Sequence, residues 1–342
     1  MCGIQQSILY SAKCVVFSSL YCIQQSVWCS KVYIVFSKVC GIQQSILYSA
    51  KCVVFCSVYC IHQSVLYSEV YIVFIRLYYI VFLSVYCIHQ SVLYSKVYIV
   101  FIKVCCIQQC YCIQQSVLYS AVYIVFNKVC CIQQCILYST KCVVFCSVYC
   151  IQHSVLHSAM YIVIIKVCCI QQCILYSSEC IVFISVYCIQ QCILYSSECI
   201  VFISVYCIQQ SALYSAVYIV FSSVYCIQQC ILYSSECIVF VSVYCIQQSV
   251  LYSAVYIVFI KVCCIQQCIL CSSECIVFVS VYCIQQSALY SAVYIVFSSV
   301  YCIQQCILYS SKCVVFSSVY CFQQSVLYSA YSVCFQNKVY SK

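Results

Sequence analysis

Cysteine offers the most chemistry in this chain, because 42 of the 342 residues are cysteines. They recur as CC and CxxxC, whereas zinc sites usually combine two CxxC pairs. If successive copies of a repeat stack, Cys188, Cys207 and Cys226 form one column whose spacing permits disulfide bonds. Residues 1–10 lack a basic start followed by an apolar core, so the sequence does not indicate export to an oxidising compartment. Repetition of one sequence position is therefore the favoured interpretation of the cysteines.

Histidine is the second candidate for metal or acid–base chemistry. His153 and His157 have the i, i+4 spacing that can bind a metal ion on one face of a helix. Each histidine, however, replaces a glutamine or a tyrosine that recurs elsewhere in the chain, and no carboxylate has a fixed position beside it. We interpret the histidines as sporadic variants and predict no bound metal and no cofactor. The four histidines are His62, His89, His153 and His157.

The chain also lacks the components of acid–base and phosphate chemistry. Ser-His-Asp triads and general acid–base pairs need a carboxylate or a base in a fixed place, yet there is no Asp and there are only five Glu. Phosphate-binding loops need several glycines, and the chain has two, Gly3 and Gly41. These absences predict that the protein is not an enzyme. No residue is predicted to be catalytic, cofactor-binding or metal-binding.

The net charge of +9 and the 38 tyrosines raise the question of nucleic-acid binding. Lysine neutralises phosphate and aromatic rings stack on bases, but a groove that follows the backbone needs continuous positive charge. Residues 167–260 contain three Glu and neither Lys nor Arg. The charge distribution therefore predicts no nucleic-acid partner.

A tandem repeat of 19 residues organises the whole chain. The tripeptide IQQ begins at Ile4, Ile23 and Ile42, and the same step runs unbroken from Ile113 to Phe322. Two unit types mostly alternate, CIQQCILYSSECIVF and CIQQSVLYSAVYIVF. The sequence predicts one domain, a repeat array over residues 1–330, followed by a degenerate tail over residues 331–342.

The register of the repeat breaks in one stretch only. The step from Ile61 to Ile88 has eight extra residues, which resemble a local duplication of YIVF at Tyr79. The step from Ile107 to Ile113 is correspondingly short.

Each unit contains three short apolar runs separated by Gln-Gln-Ser and by small polar residues, and Val, Ile, Tyr, Phe and Cys dominate the runs. Runs of this length and composition are typical of strands. The sequence therefore predicts an all-β fold, a parallel β-solenoid-like array whose coils stack and whose Gln, Cys, Tyr and Ser residues form ladders. Large apolar groups on both strand faces predict an aggregation-prone rod that self-associates.

Two structural alternatives stay open at this point. The mean hydropathy of +1.10 is typical of α-helical membrane proteins, which makes membrane association one interpretation. A Gln pair in every unit leaves no clean apolar window of about 20 residues for a spanning helix. The second alternative is a chain without a stable fold.

Comparison of the copies provides the functional hypothesis. One position holds Lys in some copies and Glu in others, a reversal of charge, and Met1 occupies the position of Val39. Such exchanges need single base changes and fit translation of a 57-base tandem DNA motif. The first hypothesis is a product without a specific biochemical function. The alternatives are a Cys- and Tyr-rich structural protein, cross-linked outside the cell, and a polytopic membrane protein; the sequence assigns no localisation.

Overall fold

A computed structural model describes residues 4–79, 88–106, 113–329 and 332–335, which form β-strands joined by turns. Parallel strands stack with the spacing of the repeat, so the predicted all-β parallel β-solenoid is confirmed. None of the described residues forms an α-helix, which contradicts the helical alternative for this part of the chain. Across the same ranges there is accordingly no helical segment of a length and apolarity that could span a membrane.

The chain divides into two compact units, residues 1–177 and residues 178–342. The strands of the first unit are β1 Ile4–Gln5, β2 Ile8–Ser11, β3 Val15–Phe17, β4 Leu20–Gln24, β5 Val27–Ser30, β6 Tyr33–Phe36, β7 Val39–Gln43, β8 Ile46–Ser49, β9 Cys52–His62, β10 Val65–Ser68, β11 Tyr71–Tyr79, β12 Ile88–His89, β13 Val92–Ser95, β14 Tyr98–Cys106, β15 Ile113–Gln114, β16 Val117–Ser120, β17 Tyr123–Phe126, β18 Val129–Gln133, β19 Ile136–Ser139, β20 Cys142–Phe145, β21 Val148–Gln152, β22 Val155–Ser158, β23 Tyr161–Ile164, β24 Val167–Gln171 and β25 Ile174–Ser177.

The strands of the second unit are β26 Cys180–Gln190, β27 Ile193–Ser196, β28 Cys199–Gln209, β29 Ala212–Ser215, β30 Tyr218–Gln228, β31 Ile231–Ser234, β32 Cys237–Gln247, β33 Val250–Ser253, β34 Tyr256–Gln266, β35 Ile269–Ser272, β36 Cys275–Gln285, β37 Ala288–Ser291, β38 Tyr294–Gln304, β39 Ile307–Ser310, β40 Cys313–Gln323, β41 Val326–Ser329 and β42 Ser332–Phe335.

Within each unit, every coil pairs in parallel with the equivalent strands of the next coil. In β32 and β34, for example, Ile238 lies opposite Ile257 and Gln247 lies opposite Gln266. Where the sequence repeat breaks, the step grows to 27 and then 25 residues, yet equivalent residues still face each other. Most of the duplicated segment and Ile107 lie outside the described residues. Stacking of identical residues therefore fixes the register more strongly than chain length does.

The sequence predicted three separate strands per 19-residue repeat. In the second compact unit, two of these three strands form one continuous strand. The YIVF run and the following VYCI run form a single strand of 11 residues, for example β34, which alternates with strands of four residues such as β33. In the first unit the same stretch is often divided, as at Lys128 between β17 and β18, where φ is 57°. Ser185 and Ser204 have the same φ of 57° inside the continuous strands β26 and β28, so a left-handed residue at this point does not by itself divide the strand.

In the coils that the structure describes in full, seven positions point inward, and we call them the inward positions; the others are the outward positions. Burial of their side chains removes apolar surface from water at about 25 cal/mol per Å², which makes this column of side chains the main source of stability. In the coil formed by residues 227–245 the inward positions are Ile227, Cys230, Leu232, Ser234, Ile238, Phe240 and Val243.

The inward phenylalanines form a continuous stack in the second unit. Ring centroids of successive phenylalanines from Phe183 to Phe316 are 4.8 to 5.0 Å apart, with interplanar angles of 3° to 4°. The separation follows the strand spacing of about 4.8 Å, because each ring occupies the same position one coil later. Stacking therefore follows from the register.

Gly41 provides a test of how the array tolerates substitution. It lies inside β7 where most copies have Cys, and a Cβ added there meets only Cys22 Sγ at 3.9 Å, an ordinary contact. Because glycine in a strand costs about 0.5–1 kcal/mol relative to alanine, we expect Gly41→Ala to raise the free energy of unfolding by that amount. Urea denaturation measures it. The reverse change in β37, Ala288→Gly, should lower the free energy of unfolding. If either variant has the same free energy of unfolding as the unchanged chain, the prediction is wrong.

Candidate functional site

The second glutamine of each Gln pair adopts a left-handed backbone conformation. Its φ lies between 47° and 53° in every described coil, and His153 has the same conformation where it replaces Gln. Only a small fraction of non-glycine residues adopt positive φ, and such strain costs about 1–3 kcal/mol per residue. The chain thus makes this turn without glycine.

The side chains of the Gln pairs form two amide ladders along the turns. Gln228 Nε2 donates to Gln247 Oε1 at 3.0 Å, and Gln229 Nε2 donates to Gln248 Oε1 at 3.1 Å. Both ladders continue through the following coils of the second unit. A net hydrogen bond is worth about 0.5–1.5 kcal/mol, so two per coil offset much of the turn strain.

The inward residue after the Gln pair is Ser or Cys, and both make the same hydrogen bond. Ser249 Oγ donates to the carbonyl of Gln247 at 2.8 Å, and Cys230 Sγ donates to the carbonyl of Gln228 at 3.0 Å. The hydroxyl also accepts from the backbone, since the Cys230 amide donates to Ser249 Oγ at 3.3 Å. Exchange of Ser and Cys between copies is therefore structurally conservative at this position.

The serine of the LYS motif is an inward position that the sequence comparison missed. Ser310 Oγ lies 2.7 Å from the carbonyl of Val293, its hydrogen-bond acceptor in the preceding coil, and 3.1 Å from the carbonyl of Cys313. Ser49 makes the equivalent bond to Val32 at 2.9 Å. All 17 LYS-type positions carry Ser, from Ser11 to Ser329. This invariance was the signal that could have identified the position.

The chemically opposed exchanges between copies fall on outward positions. Lys51, Glu236 and Glu274 occupy the Lys/Glu position and are exposed. Apart from the Ser/Cys exchange after the Gln pair, the inward exchanges are apolar, as where Trp28 replaces Leu and Ile164 replaces Phe, and both are fully buried. Reversal of an exposed charge costs little, so the fold itself does not require one sign of charge at the Lys/Glu position.

The predicted cysteine column is confirmed. Cys188 pairs with Cys207 and Cys207 pairs with Cys226 in adjacent strands, and the column continues through Cys245 to Cys264. The cysteines whose side chains the structure describes are thiols. Burial, followed by the neighbouring thiols, raises the pKa of Cys245 and of Cys283 to about 12. Since the thiolate is the nucleophile, these cysteines are poor nucleophiles at neutral pH.

The structure separates the two histidines of the i, i+4 pair. His153 lies in the Gln-pair turn, whereas His157 lies in β22 and is exposed. The His157 ring takes a place in a tyrosine stack, 5.7 Å from the Tyr138 ring and 6.3 Å from the Tyr176 ring. Its role is that of a tyrosine substitute. Within the described ranges no group of three or more His, Cys, Asp or Glu side chains converges on one point.

Acidic side chains make isolated contacts on the outer surface. Glu236 accepts a hydrogen bond from the Tyr218 hydroxyl, which raises the pKa of Tyr218, and Glu274 has the same effect on Tyr256. Lys96 Nζ lies 3.1 Å from Glu69 Oε1. These contacts do not unite a nucleophile, a base and an acid.

One outer groove of the second unit has a volume of about 810 Å³. It follows the positions occupied by Ser-Val-Tyr in successive coils, and Lys-Val-Cys replaces this triplet once, at residues 261–263. The groove is lined by Ser223, Val224, Tyr225, Ser242, Val243, Tyr244, Lys261, Val262, Cys263, Ser280, Val281, Tyr282, Ser299, Tyr301 and Tyr320.

Fold and surface define a β-solenoid built from 19-residue coils. Comparison with protein-family models, with curated proteins and with solved structures gave no match. Neither a family nor a relative nor a structural neighbour therefore supplies a function for this chain.

The buried thiols predict a loss of stability at alkaline pH. Burial raises the pKa of Cys230 from 9.0 to about 12. A pKa raised in the folded state stabilises the fold fully below pH 9, and this contribution is lost as the pH rises towards 12. We expect the free energy of unfolding to fall by about 1.4 kcal/mol per pH unit for each such thiol.

Two reciprocal variants isolate this effect from tyrosine ionisation. Cys230→Ser should reduce the slope of stability against pH between pH 9 and 11, and Ser249→Cys should increase it. Urea unfolding followed by circular dichroism at several pH values measures both slopes. Equal slopes in all three proteins would show that the buried thiols do not control alkaline stability.

The inward serine predicts a second stability difference. Ser310→Ala removes the hydroxyl donor from the part-buried carbonyls of Val293 and Cys313. The Val293 carbonyl still accepts from the Cys313 amide, so the expected cost is that of a net hydrogen bond, about 0.5–1.5 kcal/mol. The adjacent Ser311 is at an outward position that holds Ala in other coils, so Ser311→Ala should change stability by less than about 0.5 kcal/mol. Equal effects in urea denaturation would contradict the assigned role.

Proposed function

We propose that this chain has no specific biochemical function and is the translation product of tandemly repeated DNA with a 57-base motif. The supporting observation is that charge is not maintained on the outer surface. The same outward position carries Lys in four copies, Lys13, Lys51, Lys141 and Lys312, and Glu in four others, Glu179, Glu198, Glu236 and Glu274. A surface that recognised a charged ligand would keep one sign.

The proposal includes the absence of enzymatic activity. Acid–base catalysis needs titratable groups that converge on a reacting atom. In the described part of the chain, glutamates lie on outward positions in separate coils, and raised pKa values keep the buried thiols protonated. The amide groups of the described outer surface recur as ladders from coil to coil.

A Cys- and Tyr-rich structural protein is the second candidate, and the constancy of the inward positions favours it. Leu, Ser and Phe recur there with few, apolar exchanges, as a selected fold requires. Outer tyrosines such as Tyr187 and Tyr206 stack at 4.8 Å, and cysteine columns run beside them. An extracellular oxidant acting on neighbouring side chains of these columns would cross-link the coils.

We propose that the chain self-associates under either of the two candidate functions. Large apolar residues occupy one outward row of the second unit, where Ile231, Val250 and Ile269 are exposed. Contiguous apolar surface on a soluble chain favours association. The partner we propose is a second copy of the same chain.

The nucleotide sequence of the locus distinguishes the two candidates. Under the proposed absence of function, we expect the 57-base motif to continue beyond both ends of the reading frame. We also expect silent and replacement changes at equal rates per site in the codons of inward Leu, Ser and Phe. Outward codons of the same copies are the internal control.

The opposite result would favour the structural protein. It consists of a motif that stops at both borders of the frame, together with an excess of silent changes at inward codons only. Ribosome footprints across the frame and several distinct peptides in extracts would also contradict a chain without function.

A further inference from the structure

A stack of tyrosines along the outer groove of the second unit has one missing ring. Tyr225 and Tyr244 stack at 4.8 Å with an interplanar angle of 2°, and Tyr282 and Tyr301 stack at 4.9 Å with an angle of 3°. Cys263 occupies the equivalent position between Tyr244 and Tyr282. The cysteine side chain is much smaller than the ring it replaces.

The register sets the width of this gap. Val243 pairs with Val262 and Val262 pairs with Val281, so the flanking tyrosines are two strands apart. Two strand spacings amount to about 9.6 Å, which leaves room for one planar ring at about 4.8 Å from each neighbour. Tyr244 and Tyr282 are 54% and 59% exposed, whereas Tyr225, inside the stack, is 47% exposed. Their ring faces towards the gap are therefore the unfilled part of the column.

A cation accompanies the gap. Lys261 replaces the serine found in neighbouring coils, is exposed, and lines the same groove of about 810 Å³. It supplies the positive charge among the groove-lining side chains. The lining valines, such as Val243 and Val281, are buried inward positions, so strand backbone and not their side chains faces the groove there. An apolar slot bounded by two rings and one ammonium group fits an amphipathic aromatic molecule.

We propose that this gap binds planar aromatic anions, with the ring system stacked between Tyr244 and Tyr282 and the carboxylate or sulfonate paired with Lys261. The inference goes beyond the proposed absence of function, because it needs only the geometry of the stack. Stacking on both faces selects planar rings. The ammonium group selects anions over neutral molecules of the same shape.

A second gap on another face provides a natural control. Cys237 lies between Tyr218 and Tyr256 in the register, and Glu236 beside it accepts a hydrogen bond from Tyr218. This gap therefore has similar spacing but a negative neighbour. It should reject the anions that the gap at Cys263 binds.

The test uses the full chain, refolded, with 2-naphthoate as the probe and fluorescence titration as the measurement. Cys263→Tyr fills the gap with the residue of neighbouring coils, and we expect at least a tenfold loss of affinity. Cys237→Tyr fills the other gap and should leave affinity unchanged. Lys261→Ser should weaken 2-naphthoate binding about three- to tenfold while leaving the neutral naphthalene-2-methanol unaffected.

The shape of the ligand and the folding of the variants are tested separately. The non-planar decalin-2-carboxylate should bind at least tenfold more weakly than 2-naphthoate, and bound naphthoate should show induced circular dichroism that disappears in Cys263→Tyr. Far-ultraviolet circular dichroism confirms that each variant retains β-structure. Unchanged naphthoate affinity in folded Cys263→Tyr, or equal binding of the decalin acid, would overturn the proposal.

Discussion

Parallel, in-register pairing of identical residues is the constraint on which this structure depends. Once the backbone of one coil stands about 4.8 Å from the next, each side chain meets its own copy along the column. Phenylalanine then packs on phenylalanine, amide on amide and thiol on thiol, as in cross-β assemblies. The 27- and 25-residue steps preserve this pairing of equivalent residues. The inward column thus determines where the strands lie.

The Gln-pair turn shows how pairing offsets an unfavourable local conformation. Glutamine has no intrinsic preference for positive φ, and the chain contains only two glycines and no proline. In the solenoid each strained glutamine repeats at the same place, so its amide has a donor and an acceptor in adjacent coils. The ladder exists only after the coils stack. For that reason local propensity could not predict this turn, although the repeat predicted the solenoid around it.

The same constraint limits how well the sequence predicts which side chains point inward and which point outward. Strict alternation would have assigned inward and outward sides, but two successive outward residues, Gln228 and Gln229, reset the alternation at each turn. The sequence therefore predicted the parallel solenoid, the Gln ladders and the Cys188, Cys207 and Cys226 column. It did not predict the strands of 11 residues or the inward serine. It also could not show that the Lys/Glu position is exposed, which changes how that exchange is interpreted.

Separation of the two faces constrains where any function can lie. Inward positions vary within apolar or nearly isosteric sets because a mismatch there disturbs two neighbouring coils at once. Outward positions vary in charge and size because solvent accepts the change. A uniform ladder presents the same surface at every coil and cannot distinguish one ligand site from the next. Recognition thus requires a break in a column, as where Lys261 and Cys263 replace Ser and Tyr. Single exchanges in a repetitive surface create local chemistry without any change in the fold that carries it.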